Sequence, residues 1–419
     1  MPNKNRWLIA LSAIAIHVSI GSIYAYSVYQ IPLNETLGWE KTDVSLAFTI
    51  AIFILGFSAA FFGKFVEAKG PRPSAIIAAV LFGIGTTGAG FSIQLENYFL
   101  FLLFFGVIGG LGLGFGYIAP VSTLVKWFPD RRGLATGMAV MGFGAGALIT
   151  SPVANQLMIQ LTIPMTFYIL GIAYFLLMLF GGLYIARPPE DWAPHGKKIK
   201  EENGNSKDLA YLNANEAIKT LRFWLLWFIM FINISAGIMI LSVASPMSQE
   251  ITGATAATAA SIVGIMGLFN GGGRIGWASA SDYMGRSNTY LTFFIIQVVA
   301  FLLLPFISNV IFFSILLFII VSCYGGGFSC LPAFIGDLFG TKQLGAIHGY
   351  LLTSWSLAGV VGPMIVSNVH EATQSYTLTF FLFVGFLVVA LVLSFLMKRN
   401  ITKIREGAVE TSVPEPSPQ

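Results

Sequence analysis

Twelve stretches of this chain stay apolar long enough to cross a bilayer, which takes about 20 residues as a helix. They run roughly over 7–30, 44–66, 74–94, 98–125, 133–156, 164–186, 223–249, 256–280, 288–308, 310–336, 344–369 and 376–397. In lipid such stretches must be helical, because every backbone N–H and C=O needs a partner within its own segment. Two longer polar segments interrupt the pattern. One, over 187–222, is rich in Lys, Glu, Asn and Pro; the other begins at Lys398 and ends VPEPSPQ. The pattern predicts an all-α membrane protein of two six-helix bundles, residues 1–186 and 223–397. A partly ordered linker over 187–222 would join them, and a disordered tail over 398–419 would follow.

Composition places the chain in the same class. It is 56% hydrophobic and 10% charged over 419 residues, where a soluble domain carries about 25% charged residues. Mean hydropathy is +0.78. The distribution of charge orients the chain. Of 23 Lys and Arg residues, all but Lys41 and Arg274 fall at the N-terminus, in loops 2–3, 4–5, 8–9 and 10–11, in the linker or in the tail. The positive-inside rule puts both termini and the linker in the cytoplasm. A balance of 23 basic against 19 acidic residues gives no sign of nucleic-acid binding. No His/Cys cluster suggests a metal, and no Ser/His/Asp or Cys/His set reads as catalytic. An enzyme and a cofactor are therefore not expected. Gly83-Ile-Gly85-Thr-Thr-Gly88 lies inside an apolar stretch, where it is a helix-packing face and not a dinucleotide loop.

Arg274 is the exception to the pattern, a charged residue in the interior of the eighth stretch. An arginine at the bilayer centre costs about 2.5–3.5 kcal/mol on insertion scales, so intramembrane charge points to function. Asn270 lies four residues earlier on the same helix face. Gly271, Gly272 and Gly273 between them let a backbone or a ligand approach closely. A guanidinium beside a neutral amide is a receptor for a carboxylate, since its fork matches the two oxygens. The plainer alternative is an arginine bonded only to helix carbonyls. His17, near the middle of the first stretch, is a candidate proton carrier, or else a neutral histidine bonded to a carbonyl. His348 and His195 read as structural or solvated.

The halves repeat. Pro120 answers Pro332, and Gly133-Leu-Ala-Thr-Gly137 answers Gly345-Ala-Ile-His-Gly349, both at an offset of 212; Ser151-Pro152 answers Gly362-Pro363 at 211. Duplication implies two similar bundles with substrate handled between them. Gly63-Lys-Phe-Val-Glu67-Ala-Lys-Gly70-Pro-Arg72 follows the second stretch, and Ala278-Ser-Ala-Ser-Asp282-Tyr-Met-Gly285-Arg286 follows the eighth. The chain thereby resembles a major facilitator transporter over residues 7–397. The resemblance implies that Glu67, Arg72, Asp282 and Arg286, with Arg131 of loop 4–5, clamp cytoplasmic helix ends together when the cavity faces outward.

Gly21-Ser-Ile-Tyr24-Ala-Tyr26-Ser-Val-Tyr29, the Asn270–Arg274 segment, Tyr324-Gly-Gly-Gly-Phe328 and Trp127-Phe-Pro-Asp-Arg-Arg-Gly133 narrow the likeness. Together they resemble the oxalate/formate antiporter family, a bacterial branch related to monocarboxylate transporters. In animal monocarboxylate transporters an Asp–Arg pair binds substrate and proton; here its first member is Asn270. The oxalate exchanger has a second cation in span eleven; here Trp355 takes that position. The resemblance implies that Tyr24, Tyr117, Tyr324, Phe328 and Trp355 line the cavity with Arg274 and Asn270. It implies transport of a small monocarboxylate such as lactate, pyruvate or formate, with proton symport, by a functional monomer in a bacterial cytoplasmic membrane. Oxalate/formate exchange and a carboxylate sensor are the alternatives.

Overall fold

The computed structural model describes residues 4–39, 41–189, 192 and 209–410, so His195 and residues 411–419 lie outside the described residues. Long helices make up almost all of it. Span one is Arg6–Gly21, continued by a tight 3₁₀ turn over Ser22–Ala25. Spans two to six are Lys41–Lys69, Pro71–Gln94, Tyr98–Trp127, Arg132–Gln160 and Ile163–Tyr184. Spans seven to twelve are Leu221–Thr252, Ala256–Met284, Arg286–Leu303, Val310–Phe339, Leu344–Thr373 and Thr377–Glu410. Polar residues start several of them. Asn97, Thr162, Thr220, Thr255 and Asn309 each accept a backbone N–H of the first turn, meeting donors that have no partner within the helix.

Among the described residues, eleven helices are long and apolar enough to cross a membrane on hydropathy alone. The remaining long helix, Ala256–Met284, carries Asn270, Arg274 and Asp282. It still packs inside the bundle array, against spans five and ten.

The first expected stretch, 7–30, is not one straight helix. After the 3₁₀ turn the chain restarts as a separate helix, Ser27–Leu37, ended by Gly38 in the left-handed region at φ 69°. The tail also differs. Span twelve continues to Glu410, so 398–410 is helical and not disordered. No proline or glycine pair breaks the helix before Pro414, and Ile401 still packs against the core.

One end of the molecule gathers the start of span one, the described part of the linker and Arg405 of span twelve, and is called the linker face here. Arg6 pairs with Asp130 at 3.1 Å, and Lys4 donates to the Tyr184 carbonyl at 2.5 Å. The linker returns along span ten: Leu209 N–H donates to the Asp337 carbonyl at 2.7 Å and Leu212 N–H to that of Phe339 at 3.0 Å.

The two bundles close on each other at this face through two helix pairs, spans two with eleven and five with eight. Glu67, at the end of span two, accepts the Gly345 N–H at 2.8 Å in the first turn of span eleven. Its other oxygen pairs with Lys126 at 2.7 Å. Asp282, at the end of span eight, accepts the Gly133 and Leu134 N–H groups at 3.0 and 3.2 Å in the first turn of span five. It also holds Arg286 at 2.5 Å. Gly133 and Gly345 are the matched glycines of the sequence repeat. Each acid of the duplicated loop motif thus caps a helix of the opposite bundle, where the helix dipole favours negative charge. Glycine makes room: a side chain at Gly133 would collide with the Ala278 carbonyl, and one at Gly63 with that of Gly345.

Two expected members of the clamp stand apart. Arg72 and Arg131 are exposed on the linker face, with no hydrogen bond or ion pair among the described residues. Arg131 precedes the first helical turn, so its side chain leaves toward solvent. Arg132, one position on, pairs with Asp337 at 3.1 Å, and Asp337 also holds Arg286 at 3.2 Å. Lys126 near the end of span four and Asp337 near the end of span ten thus hold partners of opposite sign, Glu67 and the pair Arg132 and Arg286.

Replacing Glu67 or Asp282 by the neutral amide is expected to weaken the closed linker face. A charged hydrogen bond contributes about 1.5–3 kcal/mol, enough for roughly a tenfold population shift or more. Thiol labelling of a Ser279→Cys reporter, which sits in the linker-face cavity, should speed up in Asp282→Asn while substrate affinity changes less than about tenfold. An unchanged labelling rate would contradict the clamp.

Candidate functional site

Arg274 is fully buried in span eight. Its Nε donates to Asn270 Oδ1 at 3.2 Å, the i,i+4 pair that the spacing predicts. Its Nη1 crosses to the other bundle and donates to the Val140 carbonyl of span five at 2.9 Å. Its Nη2 is buried with no hydrogen-bond partner among the described residues. The guanidinium carbon lies 5.7 Å from the Phe143 ring and 5.6 Å from the Phe328 ring. Ring faces attract the cation without satisfying its N–H groups. Carbonyl bonding therefore accounts for one amine and leaves the other for an incoming acceptor.

Glycines seat this group. A side chain on Gly325 would come within 2.6 Å of Asn270 Oδ1 and 3.2 Å of Arg274 Cγ. Gly144 of span five faces Gly271 of span eight, where an added carbon would stand 3.1 Å from the Gly271 Cα. The Gly271–Gly273 run serves backbone approach on this side. Spans five, eight and ten meet around Arg274 because these positions carry no bulk.

The expected lining residues form a wall of rings. The Tyr24 hydroxyl is 3.4 Å from that of Tyr324, which joins span one to span ten. Tyr24 also meets Phe143 edge-on at 4.9 Å. Phe328 lies 4.5 Å from Trp355, and Trp355 lies 5.5 Å from Tyr117. The Tyr117 hydroxyl and the Trp355 Nε1 are buried without partners. His17 stacks on Tyr117 at 5.3 Å, and its Nε2 faces the Tyr117 carbonyl at 3.2 Å. A carbonyl accepts only, so Nε2 carries the hydrogen and Nδ1 is left buried without a partner.

Three residues of the site had escaped the sequence reading. Val140 and Phe143 of span five touch Arg274 directly, and Phe143 was legible as a lone aromatic within Gly142-Phe-Gly144-Ala-Gly146. His348 is the third. It is fully buried, its ring is 5.6 Å from Tyr117, and neither ring nitrogen has a partner. The repeat hides it, because the matching position in the first half is Thr136.

Six orphaned polar atoms thus share one region: Arg274 Nη2, Tyr117 Oη, Trp355 Nε1, His17 Nδ1 and both His348 nitrogens. Each unmet buried group costs about 1–3 kcal/mol. Such a concentration is what a polar ligand or water would relieve. A cavity of about 500 Å³ lies elsewhere, at the linker face beside Asp282 and Asp337. It is the open vestibule outside the clamp, whereas the side chains around Arg274 close on it.

Comparison with known proteins accords with this geometry. The family model described as Major Facilitator Superfamily matches residues 10–363 and, again, 226–416. The oxalate:formate antiporter of Oxalobacter formigenes is 26% identical over 361 residues, 85% of this chain and 83% of that protein. Monocarboxylate transporter 10 of Rattus norvegicus is 25% identical over 92% of this chain and 78% of its own length. Among solved structures, the proton:xylose symporter XylE superposes with a TM-score of 0.72 at 15% identity, covering 93% of this chain and 95% of that one. At that identity the likeness concerns the fold alone. A match across most of the length, on two bundles with a duplicated clamp between them, means that the chain belongs to the Major Facilitator Superfamily.

Proposed function

We propose that the protein is a secondary active transporter of small monocarboxylates, of the lactate, pyruvate or formate kind, that takes a proton with the anion. The observation that carries this reading is Arg274: a buried guanidinium between two rings, with one amine unmet. A carboxylate oxygen supplies the missing acceptor and the missing charge together. Asn270 fixes the guanidinium plane through Nε, and the wall of Tyr24, Tyr117, Tyr324, Phe328 and Trp355 encloses a short organic remainder. The names of the relatives, an oxalate:formate antiporter and a monocarboxylate transporter, support a carboxylate. A second carboxylate would need a second cation in this low-dielectric region. Among the described residues the ring wall offers an indole, Trp355, instead.

The cycle would be alternating access, with the bundles rocking about the Arg274 region and the linker-face clamp breaking in one half of it. The linker face would be cytoplasmic, in a bacterial cytoplasmic membrane, and a single chain carries the whole site. The sequence carries no nucleotide-binding motif, so an ion gradient would drive the cycle.

Uptake of radiolabelled lactate, pyruvate, formate and oxalate into proteoliposomes, with and without a pH gradient, tests the reading. The monocarboxylates should accumulate with an inward proton gradient, and oxalate should not. Arg274→Lys keeps the charge and loses the planar fork, so uptake should fall by about tenfold or more. Near-normal uptake in that variant would remove the receptor role.

Asn270→Asp places an acid beside Arg274. When ionised it competes with the substrate for the guanidinium; when protonated it does not. Apparent affinity should therefore fall as pH rises through the new acid's range and recover on acidification. A pH profile identical to that of the parent would show that position 270 does not act on Arg274.

A further inference from the structure

His348 lies on the stripe of span eleven that faces the other bundle. Gly345, one turn toward the linker face, gives its N–H to Glu67 at 2.8 Å. Trp355, two turns the other way, stands in the ring wall at 4.5 Å from Phe328. The histidine thus sits between the carboxylate site and the clamp. A neutral imidazole offers one donor and one acceptor, yet both ring nitrogens are buried without partners. The Tyr117 ring is 5.6 Å away, and its hydroxyl is unmet as well. A side chain kept there for packing alone would not need two nitrogens.

Proton coupling requires a group that titrates near neutral pH. The other polar side chains of the central region are a guanidinium, phenols and an amide, side-chain types that do not exchange a proton near neutral pH as free groups. Among the described residues the carboxylates nearest the bundle interface, Glu67, Asp282 and Asp337, lie at the linker face in ion pairs. His17 and His348 remain. His17 bonds the Tyr117 carbonyl at 3.2 Å. Both belong to the first bundle, so that bond travels with it when the bundles rock. His348 belongs to the second bundle and faces Tyr117 of the first. Its surroundings change with the rocking, which a site that loads on one face and releases on the other must do.

We infer that His348 is the side chain that carries the coupled proton, with Tyr117 as the hydroxyl facing it across the bundle interface. The inference rests on the monocarboxylate reading above. A proton from the solvent at the open face converts the imidazole to imidazolium, and the same proton leaves to the opposite solvent after the bundles rock. The charged and titratable groups around it allow this. Toward the linker face, Glu67 and Lys126 neutralise each other, and Lys64 is bonded to Asn215 at 3.1 Å. Across Tyr117 stands His17. Toward the centre, Arg274 repels a second cation until an anion neutralises it. Anion and proton therefore favour each other's binding, and the coupling is reciprocal.

The test measures proton uptake and affinity together. The purified full chain is titrated with L-lactate, pyruvate and formate in weak buffer containing a pH indicator, between pH 5.5 and 8. For the probe that binds, the native protein should take up close to one proton per anion. Its affinity should fall by up to about tenfold per pH unit. His348→Gln and His348→Asn should bind with affinity independent of pH and without proton uptake, while His370→Gln, at a part-exposed histidine paired with Glu250 at 2.8 Å, keeps both. Melting temperatures confirm folding, and native-like anion binding at low pH in either His348 variant shows the site intact. Uptake that persists in both His348 variants, or is lost equally in His370→Gln, would overturn the inference and leave the carboxylate reading standing. Loss of all anion binding in both His348 variants would overturn the proton role, since the residue would then be part of the anion site. No binding of any probe by the native protein would overturn both.

Discussion

Arg274 must be accommodated in an interior that offers water little access, and much of the central packing follows from that constraint. The guanidinium has five N–H donors in a fixed fork and cannot lose its charge. Asn270 takes one donor and the Val140 carbonyl another. Phe143 and Phe328 present their faces to the cation. Gly325, Gly271 and Gly144 let three helices approach closely enough for these contacts to form. The cation is thus held in position while its Nη2 is left without an acceptor. A site built for stability alone would have met that group with a carbonyl or a carboxylate. Here the deficit is kept, and the proposed carboxylate would remove it.

The same economy of means closes the linker face. Helix starts leave backbone N–H groups without intrahelical partners. Glu67 and Asp282 take up such groups across the bundle interface, at the start of spans eleven and five. A clamp of this kind discriminates sharply between states. In the proposed cycle the bundles would separate, the donors would return to water and the acids would keep their local partners, Lys126 and Arg286. The difference between the states is then a few charged hydrogen bonds, small enough for substrate binding to tip. His348 sits one turn inside one of these caps, on the helix that also carries Trp355 of the ring wall.

Much of this was legible in the sequence because a bilayer permits few alternatives. Apolar length gave the helices, charge asymmetry gave the common face, and the offset of 212 paired Gly133 with Gly345 before their shared role was visible. Arg274 and Asn270 stood out because polarity in an apolar span is rare. Other features depend on geometry that one sequence does not carry. Arg131 and Arg132 are neighbours of equal charge, and only the helix start decides which turns inward to Asp337. Phe143 is one of 37 phenylalanines, distinguished by its glycine surroundings. His348 read as structural because a buried histidine is commonly bonded, and its lack of partners is a three-dimensional fact. The tail read as disordered from its last residues, although helix-compatible sequence runs well beyond the apolar stretch.

The central claim is that a negative charge, and not merely a small polar molecule, completes Arg274. Lactate and lactamide have nearly the same shape and differ in that charge. Thermal unfolding of the purified native protein in the presence of each, near pH 6, separates the possibilities. A ligand that binds only the folded state raises the melting temperature with its concentration. The account predicts a saturable rise with lactate and none with lactamide. Equal rises with both, or a rise with lactamide alone, would contradict it.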